Sequence, residues 1–251
     1  MLVDSHCHLH DREFFTEVQA EEMLKRAREK GVAKIICIGT SSQDSLAAKE
    51  FAEAHENVFW TYGIHPSEAD KDPKIRSDLQ EMLSESGPAR KLVGIGEVGL
   101  DYHYGAENRK KQLKLFEKML DLGVKNELPF SFHIREAFDD FFAVIRNFPE
   151  VSGVVHSFSD NKKNLKRILT ETNFYVGVNG MATYSTLPTP PLNRILLETD
   201  APFLTPKPFR GIINESGYIR EIALWLSEKL GVDFSETMKE TTENVKQLFH
   251  I

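Results

Sequence analysis

Eight short apolar runs recur along this chain, each followed by a longer amphipathic segment or a connection. They span residues 2–9, 33–40, 58–66, 92–101, 128–137, 153–159, 173–180 and 195–202. Each is rich in Val, Ile, Phe or Gly and too short for a helix, so each reads as a strand. Their apolar character is nearly continuous, which fits strands covered on both faces, as in a parallel sheet. Helical spacing fills 17–30, 42–55, 73–85, 107–122, 136–147, 161–170, 214–230 and 235–249. The helix over 17–30 is expected to stop at Gly31 and that over 107–122 at Gly123. Between the seventh and eighth runs stands MATYSTLPTPPLNR (181–194), with three prolines. It leaves little room for a helix, so the seventh crossover should be short and irregular.

Eight evenly spaced parallel strands over 251 residues predict a closed (β/α)8 TIM barrel, which typically takes about 250 residues. An open doubly wound sheet is the weaker alternative. No linker, repeat or low-complexity tract divides residues 1–251, so they are read as a single barrel. No apolar run reaches the roughly 18 residues of a membrane span. The start, MLVDSHCHLH, has no basic or signal-type stretch, so a cytoplasmic location is expected. Cys7 and Cys37 are too few for a secreted disulfide framework or an all-cysteine zinc site. The net charge of −7 argues against a broad basic surface. A nucleic-acid substrate would have to be held locally, by a few cations at one place.

Histidine carries the chemistry. His6 and His8 flank Cys7; on a strand, i and i+2 share a face roughly 6.6 Å apart, with Cys7 turned toward the helices. Glu97 lies in LVGIGEVGLD, a costly place for an unpaired carboxylate. His133 closes PFSFH, His156 closes GVVH and Asp200 closes ILLETD, where Glu198 shares its parity. Any one of these could be a hydrogen-bonded core residue. Together they fall on the C-terminal ends of the predicted strands, which meet at one mouth in a β/α barrel. Four histidines and two carboxylates suit Zn²⁺, Mn²⁺ or similar ions. They exceed one open three-ligand site and suit a pair of ions about 3.5–4 Å apart.

With those residues in place, the chain resembles the TatD family of metal-dependent deoxyribonucleases, among the amidohydrolase-like metal-dependent hydrolases. The matching motifs are DSHCHL (4–9), GIHP (63–66), GEVGLDYHY (96–104), LPFSFHIREA (128–137), HSFS (156–159), LLETDAPFL (196–204) and TTENVKQLF (241–249). They run in family order over nearly the whole chain. The resemblance implies that His6 and His8 bind a first metal, His133 and His156 a second, and that Glu97 bridges the two. It implies that Asp200 holds the first metal and acts as general base. His65 would stand near the substrate phosphate, and Glu198 would be a further active-site residue. Asp101, Tyr102 and His103 could line the cleft. The chain departs from the family in its shortened segment 181–194 and in Asn214-Glu215-Ser216, where the family has a proline. Both departures bear on substrate range rather than on the metal chemistry.

Arg135 shares strand parity with His133 and could meet a phosphate oxygen, which guanidinium binds in a bidentate way. Lys207 and Arg210 are further basic residues near the mouth; Arg109, Lys110 and Lys111 begin a helix and read as solvated. The expected reaction is hydrolysis of DNA phosphodiester bonds, from an end, with two divalent ions (Zn²⁺, Mg²⁺ or Mn²⁺). The rivals are a metal-dependent amide or ester hydrolase, such as a D-aminoacyl-tRNA deacylase, and a non-catalytic binding protein on a retained barrel.

Overall fold

The computed structural model describes residues 1–71, 79, 82, 91–103 and 107–251. The strands are β1 (Leu2–Cys7), β2 (Val32–Ile38), β3 (Val58–Tyr62), β4 (Leu92–Asp101), β5 (Phe130–Arg135), β6 (Gly153–Val155), β7 (Tyr175–Val178) and β8 (Ile195–Leu197). All pair in parallel and in chain order. Past the end of β8 the chain bridges back to β1, with Asp200 N donating to His6 O at 2.8 Å and His8 N to Ala201 O at 2.8 Å. The sheet therefore closes into the expected barrel.

Helices α1 (Glu17–Glu29), α2 (Ser42–Ala54), α3 (Arg109–Lys125), α4 (Phe138–Ile145), α5 (Lys162–Glu171), α6 (Ile219–Leu230) and α7 (Phe234–Phe249) are described. Side chains cap several of them where orphan N–H groups need acceptors. Thr16 and Gln19 form a capping box on α1, Ser41 caps α2 and Asn161 caps α5. The helix expected over 73–85 lies almost wholly outside the described residues. The seventh crossover holds only two 3₁₀ turns, Gly180–Thr183 and Leu192–Arg194. The helix expected to stop at Gly123 runs on to Lys125. That glycine serves packing instead: a Cβ there would lie 2.1 Å from the Phe130 ring.

The large core lies between strands and helices. A smaller one fills the barrel, where Val3, Ile36, Ile38, Val93, Val154 and Leu196 meet Val245, Leu248 and Phe249 of α7. Asn244 of α7 donates to Ile195 O, at the start of β8. The C-terminal helix thus closes the N-terminal end of the barrel with apolar side chains and leaves the polar residues to the other end. Except for β4, which fills 92–101, the strands stop short of the apolar runs that predict them. Beyond the ends of β6 and β8 the backbone is left-handed at Ser157 (φ 47°) and Asp200 (φ 58°), while His156, Phe158 and Glu198 to Ala201 remain buried. Among the described residues no helix is long and apolar enough to cross a membrane.

Candidate active site

The six residues singled out by sequence meet at the C-terminal mouth. His6, Glu97 and His133 are on β1, β4 and β5; His8, His156 and Asp200 sit just beyond the ends of β1, β6 and β8. Glu97 is central. Its Oε2 lies 3.6 Å from His6 Nε2, while its Oε1 lies 2.7 Å from His133 Nδ1 and 3.5 Å from His156 Nε2. Asp200 Oδ1 is 3.6 Å from both His6 Nε2 and His8 Nε2. Those two nitrogens are themselves 3.3 Å apart, and the His6 ring stacks on His156 at 3.6 Å. The donor atoms fall into overlapping triplets, each within 4.8 Å: His6–His8–Glu97, His6–His156–Asp200 and His65–Glu97–His133.

Each of the four histidines turns one ring nitrogen to this cluster and the other to an outer group. His6 Nδ1 faces Ser131 Oγ at 3.3 Å, and His8 Nδ1 faces Ile38 O at 3.0 Å. His133 Nε2 faces Asp101 Oδ2 at 3.1 Å. His156 Nδ1 lies 3.2 Å from Glu198 Oε1 without hydrogen-bond alignment. Metal-binding histidines are held this way, the outer partner fixing tautomer and ring orientation. The donor set and its outer contacts fit divalent ions.

Asp200 is held by a polar scaffold that sequence reasoning missed. Buried Asp4 accepts from Thr199 N at 2.9 Å and Thr199 Oγ1 at 2.6 Å. Asn214 Nδ2 donates to Thr199 O at 2.8 Å and to Phe203 O at 2.6 Å. Glu215 ties the same segment to α1 through Arg26 at 2.6 Å. Asn214-Glu215-Ser216, one of the two departures from the family pattern, is thus the brace behind the Asp200 loop.

The electrostatics are those of carboxylates and imidazoles packed together. Burial disfavours charge on His156, but Glu198, Glu97 and Asp200 outweigh it and lift the ring to about 10. His133 is lifted to about 9, Asp101 and Glu97 overcoming its burial. Burial works against ionised Glu97 and Asp200, yet the surrounding histidines hold both below their ordinary range. Burial pushes His65 down to about 4, so its ring is neutral. Without metal, protons supply the positive charge this cluster demands.

A cavity of about 530 Å³ opens over the cluster. His65 lines it, edge-on to the His133 ring at 4.5 Å, and Arg135 lines it beside Asp101. Lys207 and Arg210 are absent from that lining, and the Arg210 guanidinium packs 3.9 Å from the Tyr184 ring. Glu198 stays fully buried behind the cavity, where its Oε1 accepts from Ser157 N at 2.7 Å. Arg109 is not merely solvated; it forks onto Asp140 with contacts of 2.5 and 2.7 Å. A third alternating histidine, His10, pairs with Asp44 at 3.0 Å beside His8. The H-x-H-x-H alternation was its only sequence signal.

A parallel β/α barrel with a histidine–carboxylate cluster at its C-terminal mouth defines a metal-dependent hydrolase. The chain belongs to the TatD family: the family model for TatD related DNase matches residues 3–250. It is 32% identical over 260 residues to YabD of Bacillus subtilis (strain 168), an uncharacterized metal-dependent hydrolase, with 100% of each chain covered. It is 30% identical over 244 residues to the 3'-5' ssDNA/RNA exonuclease TatD of Pantoea ananatis, covering 91% of this chain and 92% of that one. The crystal structure of YJJV, a TatD homolog from Escherichia coli K12, matches with a TM-score of 0.90 at 27% identity, covering 100% of this chain and 98% of that one.

Proposed function

We propose that this enzyme hydrolyses phosphodiester bonds of DNA from an end, using two divalent ions. The observation that carries this reading is the placement of Glu97, whose two oxygens face different histidines, as a bridging carboxylate requires. His6, His8 and Asp200 would hold one ion and His133 and His156 the other. The ions would supply Lewis-acid polarisation of the phosphoryl oxygen and a water acidic enough to attack at neutral pH. Asp200, ionised and bordering the cavity, would accept a proton at its carboxylate from the attacking water. Asp101 fixes the ring of His133 by its hydrogen bond to Nε2, and Glu198 sets its charge beside His156 Nδ1. Neutral His65 and cationic Arg135 bind the phosphate oxygens from the β3–β5 side. The name of the Pantoea ananatis relative supports a nucleic-acid substrate.

The test is end-labelled single-stranded DNA offered beside a circular strand and a panel of carboxylic esters and amides. Linear DNA should shorten from a free end and the circle should persist. Chelation should abolish this, and Zn²⁺, Mg²⁺ or Mn²⁺ should restore it. Ester or amide cleavage with no attack on any DNA would replace this reading by the amide or ester hydrolase.

The metal-free protein should titrate in a telling direction. His133 and His156 have folded-state pKa values of about 9 and 10 against an ordinary 6.5. A raised pKa contributes stability that is complete below the unfolded value and is lost as pH rises through the folded one. The metal-free Tm should therefore fall between about pH 6.5 and pH 10, and divalent ions should restore it. At pH 7 metal uptake should release protons, about one from each of these two rings. Titration calorimetry in buffers of different ionisation enthalpy measures the release. A metal-free Tm that rises across this window contradicts the account.

A further inference from the structure

Two aromatic rings stand exposed at the rim of the cavity. Phe14 is 45% exposed and Phe203 46%. They are the only aromatics among the exposed large hydrophobic side chains of the described residues, and both line the cavity over the cluster. Their centroids are 5.2 Å apart at 83°, so the edge of one ring supports the face of the other. Phe203 also lies 6.4 Å from the His8 ring. The backbone beneath is fixed: Phe203 N donates to Asp200 O at 2.7 Å and Phe203 O accepts from Asn214 at 2.6 Å. Phe14 is tethered next to Phe15, which is buried in the core.

The cavity is thus two-sided. The β8–β1 side offers aromatic surface, the opposite β3–β5 side offers His65 and Arg135, and the carboxylate–histidine cluster lies between. A nucleotide has the same division, with a flat uncharged base joined through sugar to an anionic phosphate. We propose that Phe203, buttressed by Phe14, is a stacking platform for the unpaired nucleobase next to the scissile phosphate; this rests on the nuclease reading above. Every base has a π face, so the platform accepts any of the four and asks only that the base be unstacked from its strand. Purines, with the larger face, bind better than pyrimidines.

The experiment uses the metal-loaded full chain and single-stranded oligonucleotides carrying a normal base or an abasic tetrahydrofuran residue, placed at each end in turn. For the wild type, KM should be about tenfold higher when the terminal base at the cleaved end is missing. Phe203→Ala should show that same rise on the normal substrate and little further rise on the abasic one, because the two changes remove one interaction. kcat should move less than KM. Phe203→Tyr, which keeps the ring, should retain wild-type KM. A terminal 2-aminopurine should lose fluorescence on binding the wild type and keep it on binding Phe203→Ala. If oligonucleotides are cleaved with equal KM with and without the base, or Phe203→Ala raises KM equally on both, the platform is wrong and the nuclease reading stands. If no oligonucleotide is cleaved, the nuclease reading falls and takes the platform with it.

Discussion

Asp200→Asn is expected to lower kcat by about 10²–10⁴-fold, the usual cost of removing a general base, with the fold intact. The fold should survive because Asp200 occupies the left-handed region (φ 58°), which asparagine tolerates well. Its backbone N–H bond to His6 O at 2.8 Å is also untouched. What changes is the carboxylate. Its Oδ1 stands 3.6 Å from His6 and His8 Nε2, and those rings with His156 keep it ionised against its burial. An amide in that place neither accepts the proton of an attacking water nor brings charge to an ion. kcat is to be measured after metal reconstitution, alongside circular dichroism and metal content. A folded, metal-loaded variant with near wild-type kcat would remove Asp200 from the chemistry.

The positions of these residues could be read from the sequence because each interrupts or ends a buried apolar run, Glu97 in the middle of β4 rather than at its end. A charged or imidazole side chain there breaks a pattern that hydrophobic burial otherwise enforces. Six such breaks in five strand units, each in the C-terminal half of its unit or just beyond, define a mouth before any distance is known. The same reasoning overextended the strands. Burial persists at His156, Phe158 and Glu198 to Ala201, beyond the ends of β6 and β8, and apolar character reports burial rather than strand. Gly123 misled for a related reason: a glycine that ends a helix and one that admits a phenylalanine ring look alike in sequence.

The contacts around the cluster were the less legible part. Asp4 meets Thr199 only because the barrel closes β8 onto β1, whereas Asn214 folds back onto Thr199 and Phe203 of its own segment. No local spacing encodes a bond across 195 positions of chain. Asp101 carried a sequence signal as a cleft residue, but its bond to His133 depends on the β4–β5 register that sets Asp101 opposite Arg135. Gly99 is part of that register. Its φ is +148°, and a Cβ there would lie 1.9 Å from His133 O. The close approach of β4 to β5 therefore needs glycine at that point.

Glu97→Gln should be the variant that separates a two-ion site from a one-ion site. Glu97 Oε2 faces His6 at 3.6 Å, and Oε1 faces His133 at 2.7 Å and His156 at 3.5 Å. Glutamine keeps one oxygen and replaces the other by an NH₂ donor, so one side of the cluster meets a hydrogen atom where it had an anion. The buried negative charge that balances the metal is also lost. Removing an outer partner of a metal ligand typically costs about 10–100-fold in metal affinity. Removing the shared ligand should cost at least the upper end of that range for one ion. Elemental analysis after reconstitution should fall from two ions per chain to one or fewer. kcat should fall at least as far as in Asp200→Asn, because the geometry around both histidine pairs fails together. Glu198→Gln, which touches the cluster only through His156, should lose far less metal. If Glu97→Gln instead keeps two ions and near wild-type turnover, Glu97 does not bridge and the two-ion reading loses its support.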